Sequence, residues 1–195
     1  DFAERDPATW ILYGTNAPIA SGDQSSGSLE GWRIIASGTT GLTTDRFTEA
    51  PPISFANGES YTSYRMFFPT VRDPNAGGAN SMQVAEIGLF ANADGTGALV
   101  TAGSSILGID IEQIQSESPG TEGVANILDG DSGTKYLNFG RENSGFIITP
   151  SHFLPTVVES FTITTANDAE GRDPTSWELY GTNDPVTSYD HSRGI

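Results

Sequence analysis

The feature that most constrains this chain is an internal repeat lying near its two ends. Residues 5–18 read RDPATWILYGTNAP and residues 172–185 read RDPTSWELYGTNDP, so ten of fourteen positions agree at an offset of 167 (172 minus 5). A Trp, a Tyr and two prolines in register make coincidence an untenable explanation, and a repeat governs every later fold argument. The spacing is too long for a solenoid unit and suits a domain of ordinary size. The chain therefore holds slightly more than one period. The expectation is that it begins inside one module and ends inside the next, as a processed or excised piece would.

The repeated segment reads as a strand. Thr9–Tyr13 and Ser176–Tyr180 are short aromatic and aliphatic runs closed by Gly-Thr-Asn turn chemistry. Trp32–Ala36, Ser63–Pro69, Gln83–Phe90, Gly145–Thr149 and Val157–Thr165 read the same way, with Val158, Phe161 and Ile163 pointing inward. Only Gly123–Leu128 suggests a helical turn. Segments 73–80 and 129–133 are turns rich in Gly, Asn and Asp. Many short strands without crossover helices predict an all-β fold, an antiparallel β-sandwich. Residues 94–109 are small and Gly/Ala/Ser-rich and read as a junction, with Leu99–Val100 and Ile106–Ile109 able to add edge strands.

Composition narrows the function classes. A formal net charge of −16 leaves no basic stripe to displace counterions from nucleic acid. It equally disfavours an anionic membrane, and no apolar run approaches the ~20 residues of a spanning helix. With no cysteine, disulfides, thiolate metal sites and cysteine nucleophiles are excluded. The two histidines, His152 and His191, stand beside no matched Ser or Asp motif, and no recognisable catalytic frame occurs. The expectation is a protein that is not an enzyme.

Two longer stretches carry a family resemblance. DGDSGTKYLNFGRENSGFIITPS (129–151) followed by TANDAEGRDPTSWELYGTND (165–184) resembles the front half of a discoidin, or coagulation factor 5/8 type C, module. GWRIIASGTTGL (31–42), YTSYRMFFPTVRD (61–73) and SMQVAEIGLF (81–90) are similar to its closing half. The resemblance implies a galactose-binding-like jelly roll, a secreted or cell-surface location, and binding or adhesion. It also implies permuted order. Residues 1–93 would be the C-terminal half of one sandwich, 94–109 a linker, and 110–195 the N-terminal half of the next or of the same permuted sandwich. Three arrangements fit: a piece of a tandem array, a circular permutant in which 110–171 and 5–93 close one sandwich with 172–195 surplus, or halves that complete those of neighbouring chains. An unpaired half would leave edges and apolar faces uncovered. This favours partners that are copies of the chain or adjacent repeats, joined head to tail in a fibre or surface array.

The loop Asp129-Gly-Asp131-Ser-Gly-Thr134 offers hard oxygen ligands at a tight turn, as Ca²⁺ requires. By the resemblance, a structural Ca²⁺ would take Asp129, Asp131, Thr134, Glu86 and the carbonyl of Ala125. The competing reading is a metal-free turn in which Asp129 bonds backbone amides. An extracellular glycan would be met by an exposed aromatic with Arg and Asn hydrogen bonds. The candidates are Tyr136, Asn138, Phe139, Arg141 and Asn143, with Arg72, Asn75 and Asn80 from the other half. Tyr136–Phe139 reads equally as a half-buried strand. For Arg5-Asp6-Pro7 and Arg172-Asp173-Pro174 the structural role leads: Pro sets the turn, Asp caps it and the ions pair locally. Trp10 and Trp177 are expected in the core.

Overall fold

A computed structural model of the chain describes residues 3–23, 25–27, 29–110, 118–152 and 154–190. In chain order the strands are β1 (Ala3–Glu4), β2 (Ala8–Asp23), β3 (Trp32–Thr39), β4 (Ile53–Ser54), β5 (Ser63–Phe68), β6 (Met82–Val84), β7 (Glu86–Phe90) and β8 (Ser105–Asp110). After a 3₁₀ turn at Val124–Leu128 come β9 (Tyr136–Asn138), β10 (Ser144–Thr149), β11 (Ser160–Thr164), β12 (Glu170–Gly171) and β13 (Thr175–Asp190). The fold is all-β and sandwich-like, and the helical turn at Val124–Leu128 lies where the sequence placed one. Among the described residues no helix is long and apolar enough to cross a membrane.

One layer is the six-stranded sheet containing β3, β2, β13, β5, β10 and β8. The facing layer is the antiparallel sheet β4-β11-β7, continued by the antiparallel pair β6-β9. Alternation decides which side chains fill the space between. In β5, Tyr64, Met66 and Phe68 point inward; in β10, Phe146 and Ile148; in β11, Phe161 and Ile163. With Trp10, Leu12, Ile87, Leu89 and Val158 they form one buried cluster, the two-faced arrangement that period-2 patterning produces. Ile109 and Ile147 form a smaller cluster, with Ile19, Trp32, Phe67 and Leu107 packed on it.

Gln83–Phe90 was expected as one strand, and it is broken. Met82 and Val84 face the core, and so do Ile87 and Leu89. That places both inward sets out of phase across Ala85. A single strand cannot change phase without an irregularity. Here the segment switches partner, from β9 through Met82–Val84 to β11 through Glu86–Phe90. The 94–109 segment supplies the edge strand β8, which pairs along β10 from Ser105 to Asp110.

Candidate functional site

The repeat resolves into one strand position, between β3 and β5, which receives both copies. Ile11 pairs with Phe67, Leu12 with Met66, Tyr13 with Arg65, Gly14 with Tyr64 and Thr15 with Ser63. Glu178, Leu179, Tyr180, Gly181 and Thr182 pair with the same five residues in the same order. On the other side, Trp10 and Trp177 both face Gly38. The six strands of the sheet thus fill five positions, because β2 and β13 share one.

The shared contacts extend to hydrogen bonds. Thr39 O accepts from Trp10 Nε1 at 3.2 Å and from Trp177 Nε1 at 2.9 Å. Thr40 N–H donates to Ala8 O at 3.3 Å and to Thr175 O at 3.1 Å. Thr70 Oγ1 bonds Thr9 Oγ1 at 2.8 Å and Ser176 Oγ at 2.6 Å. The indole rings of Trp10 and Trp177 coincide, as do the rings of Tyr13 and Tyr180. Two rings cannot fill one volume in a close-packed interior. Both copies fit this position, which has room for one of them at a time.

An arginine from outside the repeat locks either occupant. Arg46, on the loop after β3, donates from Nη2 to Asp6 Oδ2 at 2.6 Å and from Nη1 to Asp6 Oδ1 at 3.1 Å. It makes the same fork with Asp173, Nη1 to Oδ1 at 3.0 Å and Nη2 to Oδ2. Both carboxylates are fully buried, where a planar bidentate donor is the cation best matched to them. Arg72 lies 3.8 Å from Asp6 and 3.9 Å from Asp173. The Arg-Asp-Pro motif is thus an anchoring device. Nothing in the local sequence around Arg46 (TTDRFT) marked it, because its partner lies 40 residues away for Asp6 and 127 for Asp173.

On the outer face of the sheet the copies differ at Ile11 and Glu178. Ile11 is completely buried. Its counterpart Glu178 is half-buried, its carboxyl pushed up to about 7 by burial, with the Arg65 charge opposing. Arg65 sits on the outer face of the sheet, over the ring of Tyr13 at 4.8 Å and of Tyr180 at 5.4 Å. Burial lowers its own guanidinium to about 10, with Glu30 and Glu178 acting in the opposite direction.

The Asp-Gly-Asp loop is closed on itself. Asp129 Oδ1 accepts from Asp131 N–H at 2.8 Å and Oδ2 from Thr134 Oγ1 at 2.7 Å; Asp131 Oδ1 accepts from Gly133 N–H at 2.8 Å. Glu86 reaches this loop from β7. Burial first, then the neighbouring Asp129 carboxyl, raises Glu86 to about 7, while Gly130 and Asp131 amides act against the rise. Desolvation also acts upward on Asp129, but the bonds from Thr134, Asp131 N–H and Glu86 outweigh it and leave its carboxyl lowered. Glu86 Oε1 is buried without a hydrogen-bond partner. The donors are all oxygen, as a hard cation needs, yet the described residues contain no group of three or more acidic or His side chains placed around one point. Ala125 lies exposed in the 3₁₀ turn.

The eight glycan candidates separate. Tyr136 and Asn138 are fully buried in β9. Tyr136 OH donates to Gly145 O at 3.1 Å, and Asn138 Nδ2 donates to Ile109 O at 3.2 Å, so neither offers a face to solvent. Arg72 is spent on carbonyls, from Nε to Glu170 O at 3.1 Å and from Nη2 to Leu42 O at 2.9 Å. Arg141, in left-handed backbone with Asn143, donates to Pro74 O at 2.5 Å. That contact joins loops 73–80 and 139–143 into one rim carrying exposed Asn75 and Asn80 and half-buried Phe139. None of the eight lines the cleft of about 440 Å³ beside Asn16–Ile19 or that of about 550 Å³ between Arg33–Ile35 and Ala56–Glu59. His152 is exposed in a turn; His191 lies outside the described residues.

One buried network was missed from sequence. Lys135, the chain's only lysine, bonds Asp168 and, at 3.2 Å, Gln83 Oε1. Gln83 Nε2 in turn donates to Ala169 O at 3.0 Å. The network fixes the turn that leads into the second copy. No family model, curated protein or solved structure matches the chain.

Proposed function

We propose that this chain is an extracellular structural module, a repeating β-sandwich protomer of a fibre or surface array completed by a neighbouring chain or repeat. One observation carries the reading: a single strand slot is matched by two copies of its strand. A module that carries one strand more than it can seat has a ready means of engaging the next. Strand addition of this kind draws affinity from main-chain hydrogen bonds and specificity from alternate side chains. The discoidin-like resemblance of the two halves supports the same placement, in a secreted or surface protein without catalytic, nucleic-acid-binding or membrane-inserting roles. Negative-stain imaging and sedimentation of the purified chain test it. Filaments or oligomers with a regular repeat are expected; a monomer at every concentration would remove the proposal.

A second reading, a calcium-dependent carbohydrate-binding or adhesion module, is favoured by the buried, unpartnered Glu86 Oε1 beside Asp129. Ca²⁺ there would be held by Glu86, Asp129, Asp131, Thr134 and the Ala125 carbonyl, and would pin the loop against β7. A glycan would then meet the Arg141–Asn143 rim. Retention of a monomer on a glycan column, lost with chelator, is the result that would place this reading first.

A further inference from the structure

We propose that Lys135 and Asp168 condense into an amide, a covalent cross-link within the chain, with Glu122 carrying the proton. The proposal goes beyond the assembly reading and does not depend on it.

The reacting groups are already in contact. Buried Lys135, the only lysine, donates from Nζ to Asp168 Oδ1 and, at 3.2 Å, to Gln83 Oε1. Glu122 Oε1 lies 3.8 Å from the same nitrogen. None of these four residues belongs to either copy of the repeat. Each reacting group is also held from its own side. Asn126 Nδ2 donates to Lys135 O at 2.8 Å, and Leu137 N–H donates to Glu122 O at 3.0 Å. Asn167 Nδ2 donates to Gly133 O at 3.2 Å, drawing the 166–169 turn onto the segment before Lys135. Asp168 O accepts from Arg46 Nη1 at 3.2 Å and from Gln83 Nε2. Ala169 closes the turn at a left-handed φ of 50°, which a non-glycine residue adopts at a cost.

Fixation of this kind is what condensation needs. Positioned groups reach effective concentrations of about 10⁵–10⁸ M, far above that of the water that returns an amide to acid and amine. Proton transfer from the ammonium to the Asp168 carboxylate gives amine and acid without changing the net charge. Nζ then attacks Asp168 Cγ. The Nζ–Cγ bond forms and a Cγ–Oδ bond breaks, and Glu122 passes the displaced amine proton to the departing oxygen, which leaves as water. The Asp168 side chain is part-exposed, so that water has a way out. In a chain without cysteine the amide serves as a disulfide would, closing the loop between residues 135 and 168.

Intact-mass measurement of the denatured full chain tests this. Wild type should be lighter than its sequence by one water, and proteolysis should give a branched peptide joining Lys135 to Asp168, with trypsin unable to cut at Lys135. Lys135→Arg and Asp168→Ala should each keep the full sequence mass. Glu122→Gln should form the bond about 10²–10⁴-fold more slowly, the scale of a lost proton carrier. The branched peptide carries the claim in the unaltered chain, whether or not a variant folds. Wild type at full mass and cut at Lys135 after prolonged incubation overturns the proposal. So does a loss of water that persists in Lys135→Arg, for it would come from another site. An unchanged rate in Glu122→Gln removes the proton carrier from the proposal.

Discussion

The two copies of one strand have the same fold instructions and different prospects. Both carry the inward Trp and Leu, the entering Asp-Pro and the closing Gly-Thr, and both match β5 in register. Among their four differences is Ile11 against Glu178, on the face opposite the core. The comparison teaches that the core-facing residues decide which slot a strand fits, while the outer face is where the two copies differ in character. Arg46 serves both copies alike and so sets the affinity of the slot without choosing between them.

Removing what the copies share should cost most. Arg46→Ala takes the bidentate partner from a buried carboxylate whichever copy is seated and leaves it the more distant Arg72, a loss of about 3–5 kcal/mol. Denaturant unfolding checks it; a loss under 1 kcal/mol would mean that the fork contributes little. Erasing the difference should cost less and change the outcome more. Glu178→Ile gives the second copy the same outer-face residue as the first, worth about 1.5–3 kcal/mol at full burial, and should raise the stability of a Trp10→Ala chain, read by denaturant unfolding.

Acidity sharpens the same contrast. The Glu178 carboxyl is raised to about 7 when docked, so the docked strand holds its proton more tightly than the free strand. Docking of the second copy is therefore strongest below its ordinary value near 4.5 and weakens as pH rises through about 7. In Trp10→Ala, where the second copy takes the slot, the melting temperature should fall across that range relative to Trp177→Ala, whose slot holds Ile11. Parallel profiles would break the comparison. The smallest effect belongs to the distant loop. Glu86→Gln removes the carboxyl that crowds Asp129 and should change stability in chelator by about 1 kcal/mol or less, while abolishing any rise in melting temperature on adding Ca²⁺. A rise that survives the substitution would place the ion elsewhere.

Much of the sandwich was legible because its strands are short, aromatic and alternating. Val158, Phe161 and Ile163 are buried as the pattern required, and the break at Ala85 escaped because both flanking runs are apolar. The slot was legible only in part. The repeat announced a shared strand, but that both copies would meet one position follows from how β3 and β5 come together across the chain. Arg46, Gln83 and Lys135 carry no local signal, since their partners lie far away in sequence. Tyr136 and Asn138 misled for the opposite reason: polar atoms in a turn-rich stretch suggested a surface, and buried hydrogen bonds satisfy them instead.

The central claim is that one slot is closed by either of two strands, and a double-mutant cycle on Trp10 and Trp177 tests it most directly. An unbuffered Trp→Ala in a core costs about 3–5 kcal/mol. Each single substitution should cost less than about 2 kcal/mol, because the other copy takes its place, and the double substitution should cost the full amount or unfold the chain, far more than the sum of the singles. Additive costs would contradict the account, for they would mean that the two strands occupy separate places.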